Sequence, residues 1–236
     1  MTPVEVLTGE RGRASAVLSE TFWKTTPMKN YRPPLADPTK ILTRSELAAV
    51  LADLKRKAPR SKNTRLNLVI FRLASCCGLR ASEIAQLRID DVRVGQARPH
   101  LRIRRGAAKG GRARVVPLWW DAGTLADIAA WKADRLERGG RAGQPFVASL
   151  QPARCDIVFS RHTLRKRFRT ACKVLGPERL ATLTIHHGRH TFISHALAGG
   201  RTLAEVRDAA GHANVTVTSG YLHVTADSDA VGRLFA

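Results

Sequence analysis

Near the end of the chain lie residue types that phosphorus chemistry requires. Residues 184–224 read TIHHGRHTFISHALAGGRTLAEVRDAAGHANVTVTSGYLHV. This stretch holds six of the eight histidines and one of the two tyrosines. His186 and Arg189 stand three apart, a spacing that puts both on one face of a helix. A helix N-terminus at that point would itself favour an anion. His212 follows Gly211, and Tyr221 comes nine residues later.

Breaking a phosphodiester without a metal takes a nucleophile, cations to hold the nonbridging oxygens, and an acid for the departing oxygen. A tyrosine hydroxyl can be such a nucleophile and form a covalent link to phosphorus. Nuclease sites that rely on metals need clustered carboxylates instead. The chain has 40 Lys and Arg against 19 Asp and Glu, and acids are scarce around these residues. The electrostatic work therefore falls to Arg, His and Lys. His186 and His190 have the spacing of a metal pair, but no Glu separates them as in a zinc-protease helix, and no metal or other cofactor is expected. His190 and His195 read as packed or hydrogen-bonded residues. Taken singly, each of these positions also has an ordinary reading: capped helix, surface base, half-buried aromatic.

The elements that must carry these residues can be read from pattern. The chain has 236 residues, which suits one large domain or one domain with an appendage. Residues 1–40 lack periodicity and are rich in Pro toward their end, which predicts an arm or linker. Thr43 with Glu46 forms a capping box, predicting a helix over about 44–56. Leu66, Val69, Ile70, Leu73 and Ala74 mark a second helix that Gly78 ends. Ser82 is expected to open a third. Residues 89–94, 101–103 and 113–117 read as strands of a small antiparallel sheet. Between the last two lies the glycine-rich turn RRGAAKGGR, with Lys109 at its tip. A helical pattern returns over 121–138. Thr163 is expected to cap a basic helix reaching about Leu175, and another helix is expected over 187–198, ending at Gly199 and Gly200. Thr202 with Glu205 is a second capping box. Val231, Leu234 and Phe235 keep a helical spacing in the tail. The fold class is therefore mainly α with a small antiparallel β-sheet, an α+β arrangement.

The formal charge is +21, which predicts attraction to polyanions, first of all nucleic acid. Most of that charge is Arg, whose planar fork suits phosphate oxygens. The four cysteines fit no zinc-ribbon or finger spacing. No long apolar span or signal peptide is evident, so no membrane association is expected and a cytoplasmic location is.

Five segments, in order, make the sequence resemble the tyrosine recombinase family, also called phage-type integrases. CCGLRASEIAQLRIDDV matches the family's helix-opening arginine segment with Arg80. KGGRARVVPL matches its β-hairpin lysine with Lys109, Arg112 being the alternative. HHGRH matches the family's HxxRH segment through His186, Arg189 and His190. Gly211 and His212 match its GH segment, and Tyr221 with His223 its nucleophile segment. Together they span about 41–224.

The resemblance implies a recombinase catalytic domain of the DNA breaking-rejoining type. It implies a site-specific recombinase or integrase that cuts and rejoins double-stranded DNA through a 3′-phosphotyrosine, with neither metal nor ATP. In that mechanism Tyr221 attacks, Arg80 and Arg189 clamp the phosphate, Lys109 is the acid, and His186 and His212 bind the phosphate or help move the tyrosine proton. It further implies self-association, a tetramer on DNA. The sequence departs from the family in having only some forty residues before the match, where a helical core-binding domain is usual. Either a compact single-domain recombinase is expected, or capture of DNA by the basic arm or by accessory DNA-binding proteins. DNA contacts are expected from Arg112, Arg114, Arg165, Lys166, Arg167 and Arg169. The tail, 225–236, is expected to dock on its own domain or on a neighbouring subunit. Two other readings are an accessory DNA-binding protein with this fold and a type IB topoisomerase-like or resolvase enzyme.

Overall fold

The computed structural model describes residues 36–107, 112–154 and 157–222. Its organising element is α2 (Lys62–Ser75), preceded by α1 (Arg44–Lys57). Every residue from Leu66 to Ser75 is buried. A helix covered on all sides must lie at the centre of its domain, and α2 indeed packs on α1, α4 (Ala122–Glu137), α5 (Arg161–Ala171) and α7 (Ile185–Ala198). Phe71 of α2 stacks on Phe168 of α5, ring centroids 5.7 Å apart. The one charge deep in α2, Arg72, is satisfied by α4. Its Nε donates to Asp127 at 2.8 Å and its Nη1 to Asp121 and Thr124, both at 3.2 Å.

The caps work as the sequence predicts. Thr43 and Glu46 form the reciprocal pair that opens α1, and Thr202 and Glu205 the pair that opens α8 (Leu203–Ala210). α3 (Ala81–Gln86) starts one residue before Ser82, because the Glu83 carboxylate accepts the backbone N–H of Arg80 at 2.8 Å. The backbone N–H and C=O of Leu42 are taken by α7, through Thr191 Oγ1 at 2.9 Å and His195 Nε2 at 2.8 Å. His195 is thus a buried, hydrogen-bonded residue that ties the entry of α1 to α7.

Beside the helices lies a three-stranded antiparallel sheet: β1 (Val92–Arg93), β2 (His100–Ile103) and β3 (Arg114–Pro117), in that order. Val92 pairs with Leu101 and Leu101 with Val116, and all three are fully buried. α8 packs against β3. The first strand is shorter than expected. Ile89–Asp91 is a 3-10 turn, held because Asp91 accepts the Arg88 backbone N–H and ion-pairs with Arg102 and Arg104.

The basic helix also differs from expectation. Ser160, not Thr163, caps α5. The helix ends at Ala171, a 3-10 turn covers Lys173–Leu175, and a separate α6 (Gly176–Thr182) follows. Gly176 takes φ +84° and Pro177 sits at the start of α6, a combination that breaks one helix and opens the next. Upstream, packing extends before Ile41: Ala36 N–H donates to the Gly220 carbonyl at 3.0 Å, and Pro38–Lys40 form a 3-10 turn. The rest of the arm, Lys109 and residues 223–236, including Val231, Leu234 and Phe235, lie outside the described residues.

The turn between α2 and α3 depends on Gly78, at φ +65°. A Cβ there would also fall 2.3 Å from the Phe192 ring. Gly78→Ala combines a left-handed backbone cost of roughly 1–2 kcal/mol with an overpacking cost of roughly 1–3 kcal/mol. Destabilisation of about 2–5 kcal/mol is expected from urea denaturation midpoints. An unchanged midpoint would contradict this account of the turn.

Candidate active site

Five elements meet around one basic site. The Gly78 turn and α3 bring Arg80, β3 brings Arg114, and α7 brings His186, Arg189 and His190. The end of α8 brings His212, and the end of α9 (Val215–Ser219) brings Tyr221. Arg189 is buried, with 3% of its surface exposed. Its Nη1 donates to the Gly78 carbonyl at 2.8 Å and its Nη2 to the Ala210 carbonyl at 2.5 Å. These carbonyls come from the two turns that carry Arg80 and His212, so the guanidinium joins three segments far apart in sequence. A guanidinium has more N–H donors than two carbonyls use. Burial, then the charge of Arg80, pushes the Arg189 pKa down to about 9. It stays charged at neutral pH, in surroundings that favour an arriving anion.

Arg80 and Arg114 are organised by Glu83, which is fully buried. Arg114 meets the carboxylate with both Nη atoms at 2.8 Å, and Arg80 Nη1 donates to it at 3.0 Å. Burial alone would raise the Glu83 pKa, but the hydrogen bonds and charge of Arg114 outweigh it and hold it below the usual carboxylate range. Arg114 Nε also donates to the Ala209 carbonyl at 2.8 Å. Gly211 caps α8 at φ +69°, and a Cβ there would press 2.8 Å from the Arg114 side chain. Arg114 was expected at a DNA surface. The structure turns it inward instead, as a strut between β3, α3 and α8.

His212 donates to or accepts from Thr218 Oγ1 through Nδ1 at 2.9 Å, and Thr218 is fully buried on α9. Nε2 is the ring nitrogen that Thr218 does not engage. Burial, followed by the charges of Arg189, Arg80 and Arg114, pushes the His212 pKa down to about 3, so the ring is neutral at physiological pH. The same interactions place these four residues in one electrostatic neighbourhood.

Tyr221 is buried, and its hydroxyl is hydrogen-bonded to Nδ1 of His190. The two rings stack with centroids 5.7 Å apart, and His186 meets His190 edge-on at 4.8 Å. Burial raises the phenol pKa while Arg189 acts to lower it, and burial prevails. The phenol is therefore protonated at rest. The sequence marked His190 as a packed or hydrogen-bonded residue, and it is both, but gave it no part in the chemistry. Its position in HHGRH, one residue after Arg189, was the available signal. Glu83 was missed altogether.

An open cleft of about 620 Å³ borders the site and is lined by Arg80, Ser82, Gln86, Arg161, Arg165 and His186. Gly106 and Ala107, where the described part of the β2–β3 turn stops, also line it. Of the basic residues on α5, Arg165, Lys166 and Arg169 are exposed. Arg167, also expected to contact DNA, faces α2. It is half-buried, donates to Asn67 at 3.0 Å and Asn63 at 3.2 Å, and lies 5.3 Å from the Phe159 ring centroid. It joins α5 to α2. Arg112 is exposed at the entry to β3. Among the described residues, no group of three or more His, Cys, Asp or Glu is placed to hold a metal ion, and no helix is long and apolar enough to cross a membrane.

A mainly helical domain with a small antiparallel sheet, gathering arginines, histidines and a tyrosine at one basic site, has the architecture of the tyrosine recombinase catalytic domain. The chain belongs to the Phage integrase family, whose sequence profile matches residues 40–228. Among relatives, it is 34% identical to a tyrosine recombinase XerC of Rhodospirillum centenum over 159 residues, 67% of this chain and 42% of that protein. It is 29% identical to a tyrosine recombinase of Pseudothermotoga lettingae over 175 residues, 73% of this chain and 55% of that one. The chain thus spans about half the length of these relatives. Among solved structures, the XerA recombinase superposes with a TM-score of 0.61 at 20% identity, over 84% of this chain and 62% of that one. XerH bound to its palindromic difH substrate, a post-cleavage complex, gives 0.62 at 21% identity, over 83% of this chain and 51% of that one.

Proposed function

We propose that this chain is the catalytic part of a site-specific DNA recombinase that cuts and rejoins strands through a 3′-phosphotyrosine at Tyr221. One observation carries the reading. The Tyr221 hydroxyl sits in a basic pocket built around Arg189, with Arg80 and His212 completing the surround. Tyr221 attacks the scissile phosphorus in line with the departing 5′ oxygen. Arg80 and Arg189 hold the nonbridging oxygens as charge gathers on them. His186, exposed at the start of α7, and His212 donate to the same phosphate. Lys109 protonates the 5′ oxygen. The bond energy is kept in the phosphotyrosine, so a second 5′-hydroxyl reverses the step without ATP. Relatives named tyrosine recombinases and a neighbour captured on its DNA substrate support this assignment.

The partner is double-stranded DNA, drawn by a net charge of +21. Arg165, Lys166 and Arg169 along α5 and Arg112 beside β3 supply the outer contacts. Exchange of four ends calls for self-association on DNA, with accessory DNA-binding proteins assisting capture.

The test works without a defined target sequence. The protein is incubated with sheared genomic DNA of its source, quenched in SDS, and the protein-linked fragments are recovered and sequenced. Linked DNA with a common end is expected, attached to the peptide containing Tyr221. A protein that binds DNA and leaves no covalent link, or links through another residue, would overturn the reading.

A further inference from the structure

We propose that His190 is the general base for Tyr221, accepting the phenolic proton on Nδ1 as the tyrosine attacks phosphorus. This deepens the recombinase reading and rests on it. Nδ1 of His190 is hydrogen-bonded to the oxygen that must become the nucleophile. The ring is held in place on two sides, stacked on Tyr221 with centroids 5.7 Å apart and met edge-on by His186 at 4.8 Å. His212, by contrast, has its Nδ1 on Thr218.

The protonation states agree with that role. Burial keeps the phenol protonated, so it must lose a proton to attack. Burial, with the charges of His186, His187, Arg189 and Lys40, pushes the His190 pKa down to about 4. The imidazole is therefore neutral at physiological pH. A phenol donating to Nδ1 selects the tautomer with hydrogen on Nε2 and a lone pair on Nδ1. A phosphodiester entering the site brings negative charge toward Arg189 and His186, which offsets their effect and makes His190 more basic when the proton must move.

The step balances. As the Tyr221 oxygen bonds to phosphorus, its proton passes to His190 Nδ1. The bond from phosphorus to the 5′ oxygen breaks, and that oxygen takes a proton from a separate acid. In the reverse attack a 5′-hydroxyl gives its proton to that acid, and the departing phenolate recovers its own from His190.

The experiment uses the full chain and a nicked duplex made from the genomic end recovered with the wild-type protein. Covalent complex formation is timed in a single turnover for the wild type, His190→Ala and His190→Asn. The amide oxygen of Asn stands near the place of Nδ1 and accepts a hydrogen bond, but it does not hold a proton at neutral pH. Both variants are expected to be slower by roughly 10²–10⁴-fold, the usual range for a lost acid or base, with DNA affinity retained. A second duplex carries sulfur in place of the bridging 5′ oxygen, a leaving atom that needs no proton. It is expected to rescue Lys109→Ala and leave the His190 variants slow. A His190→Asn rate near wild type would make the residue a positioning group and overturn the proposal. Rescue of the His190 variants by sulfur would place their defect on the leaving group and overturn it too. If the wild type links to DNA through Tyr221 and His190→Ala is as fast, the proposal fails and the recombinase reading stands. A wild type that never links to DNA removes both.

Discussion

Tyr221→Phe is expected to abolish the covalent link to DNA and leave affinity for DNA nearly unchanged. The substitution removes one oxygen atom. The ring remains, and with it the stacking on His190 and the burial of the aromatic face. What is lost is the proposed nucleophile and one hydrogen bond to His190. A neutral hydrogen bond contributes about 0.5–1.5 kcal/mol net, so the fold should survive with a small fall in melting temperature. Binding is expected to rest on the many positive charges spread over the chain, none of which this change touches. SDS-resistant complexes should therefore disappear from a gel, while gel-shift affinity stays close to wild type. Residual linkage in the Phe variant would mean that another residue attacks phosphorus. Loss of binding in proportion to loss of linkage would mean that Tyr221 serves the structure of the DNA surface.

The arrangement that makes this prediction possible was partly legible in the sequence. Local chemistry was readable where a few neighbouring residues decide the outcome. The capping pairs Thr43 with Glu46 and Thr202 with Glu205 fix two helix starts. The apolar run in α2 marks the centre. Elsewhere the deciding contact comes from a distant segment. Asp91 turns residues 89–91 away from strand geometry because Arg102 and Arg104 arrive from β2 and its exit. The run LRKRFRTACKVL keeps a helical look past Ala171, yet Gly176 and Pro177 force a new start.

Within the site the same division holds. Tyr221, Arg189, His186 and His212 belong to short motifs, so their types and order signal chemistry. An arginine's type does not reveal its direction. Arg114 and Arg167 carry the same charge as Arg165, but Glu83 and the Asn63–Asn67 face of α2 turn them inward. Glu83 was invisible because a glutamate in the first turn of α3 already has a local explanation as a capping residue. Its second task, holding Arg114 from 31 residues away, appears only in three dimensions. Removing one partner of a buried pair of this kind typically costs about 3–5 kcal/mol, because the other charge is left buried and unpaired.

Arg189→Ala should cost cleavage far more than binding. Its guanidinium is already tied by two carbonyls, Gly78 and Ala210, so in the proposed mechanism it would meet the phosphate in a fixed orientation. Donors held in place before the reaction act chiefly on the charge that develops in the transition state. Removal of one such donor typically lowers the rate by about 10²–10³-fold. The ground-state phosphodiester carries a single negative charge shared with the other cations around it, so affinity should fall much less. Truncation also leaves the Gly78 and Ala210 carbonyls without their partner, at roughly 1–3 kcal/mol for each buried group. The melting temperature must accordingly be measured beside the rate. Arg189→Lys separates these effects. An ammonium keeps a positive charge but cannot span both carbonyls and grip a phosphate with a planar fork. The Lys variant should recover part of the stability and little of the cleavage rate. A Lys variant with nearly full cleavage would show that charge alone suffices there, and equal losses of binding and cleavage in the Ala variant would assign Arg189 to ground-state DNA contact rather than to the transition state.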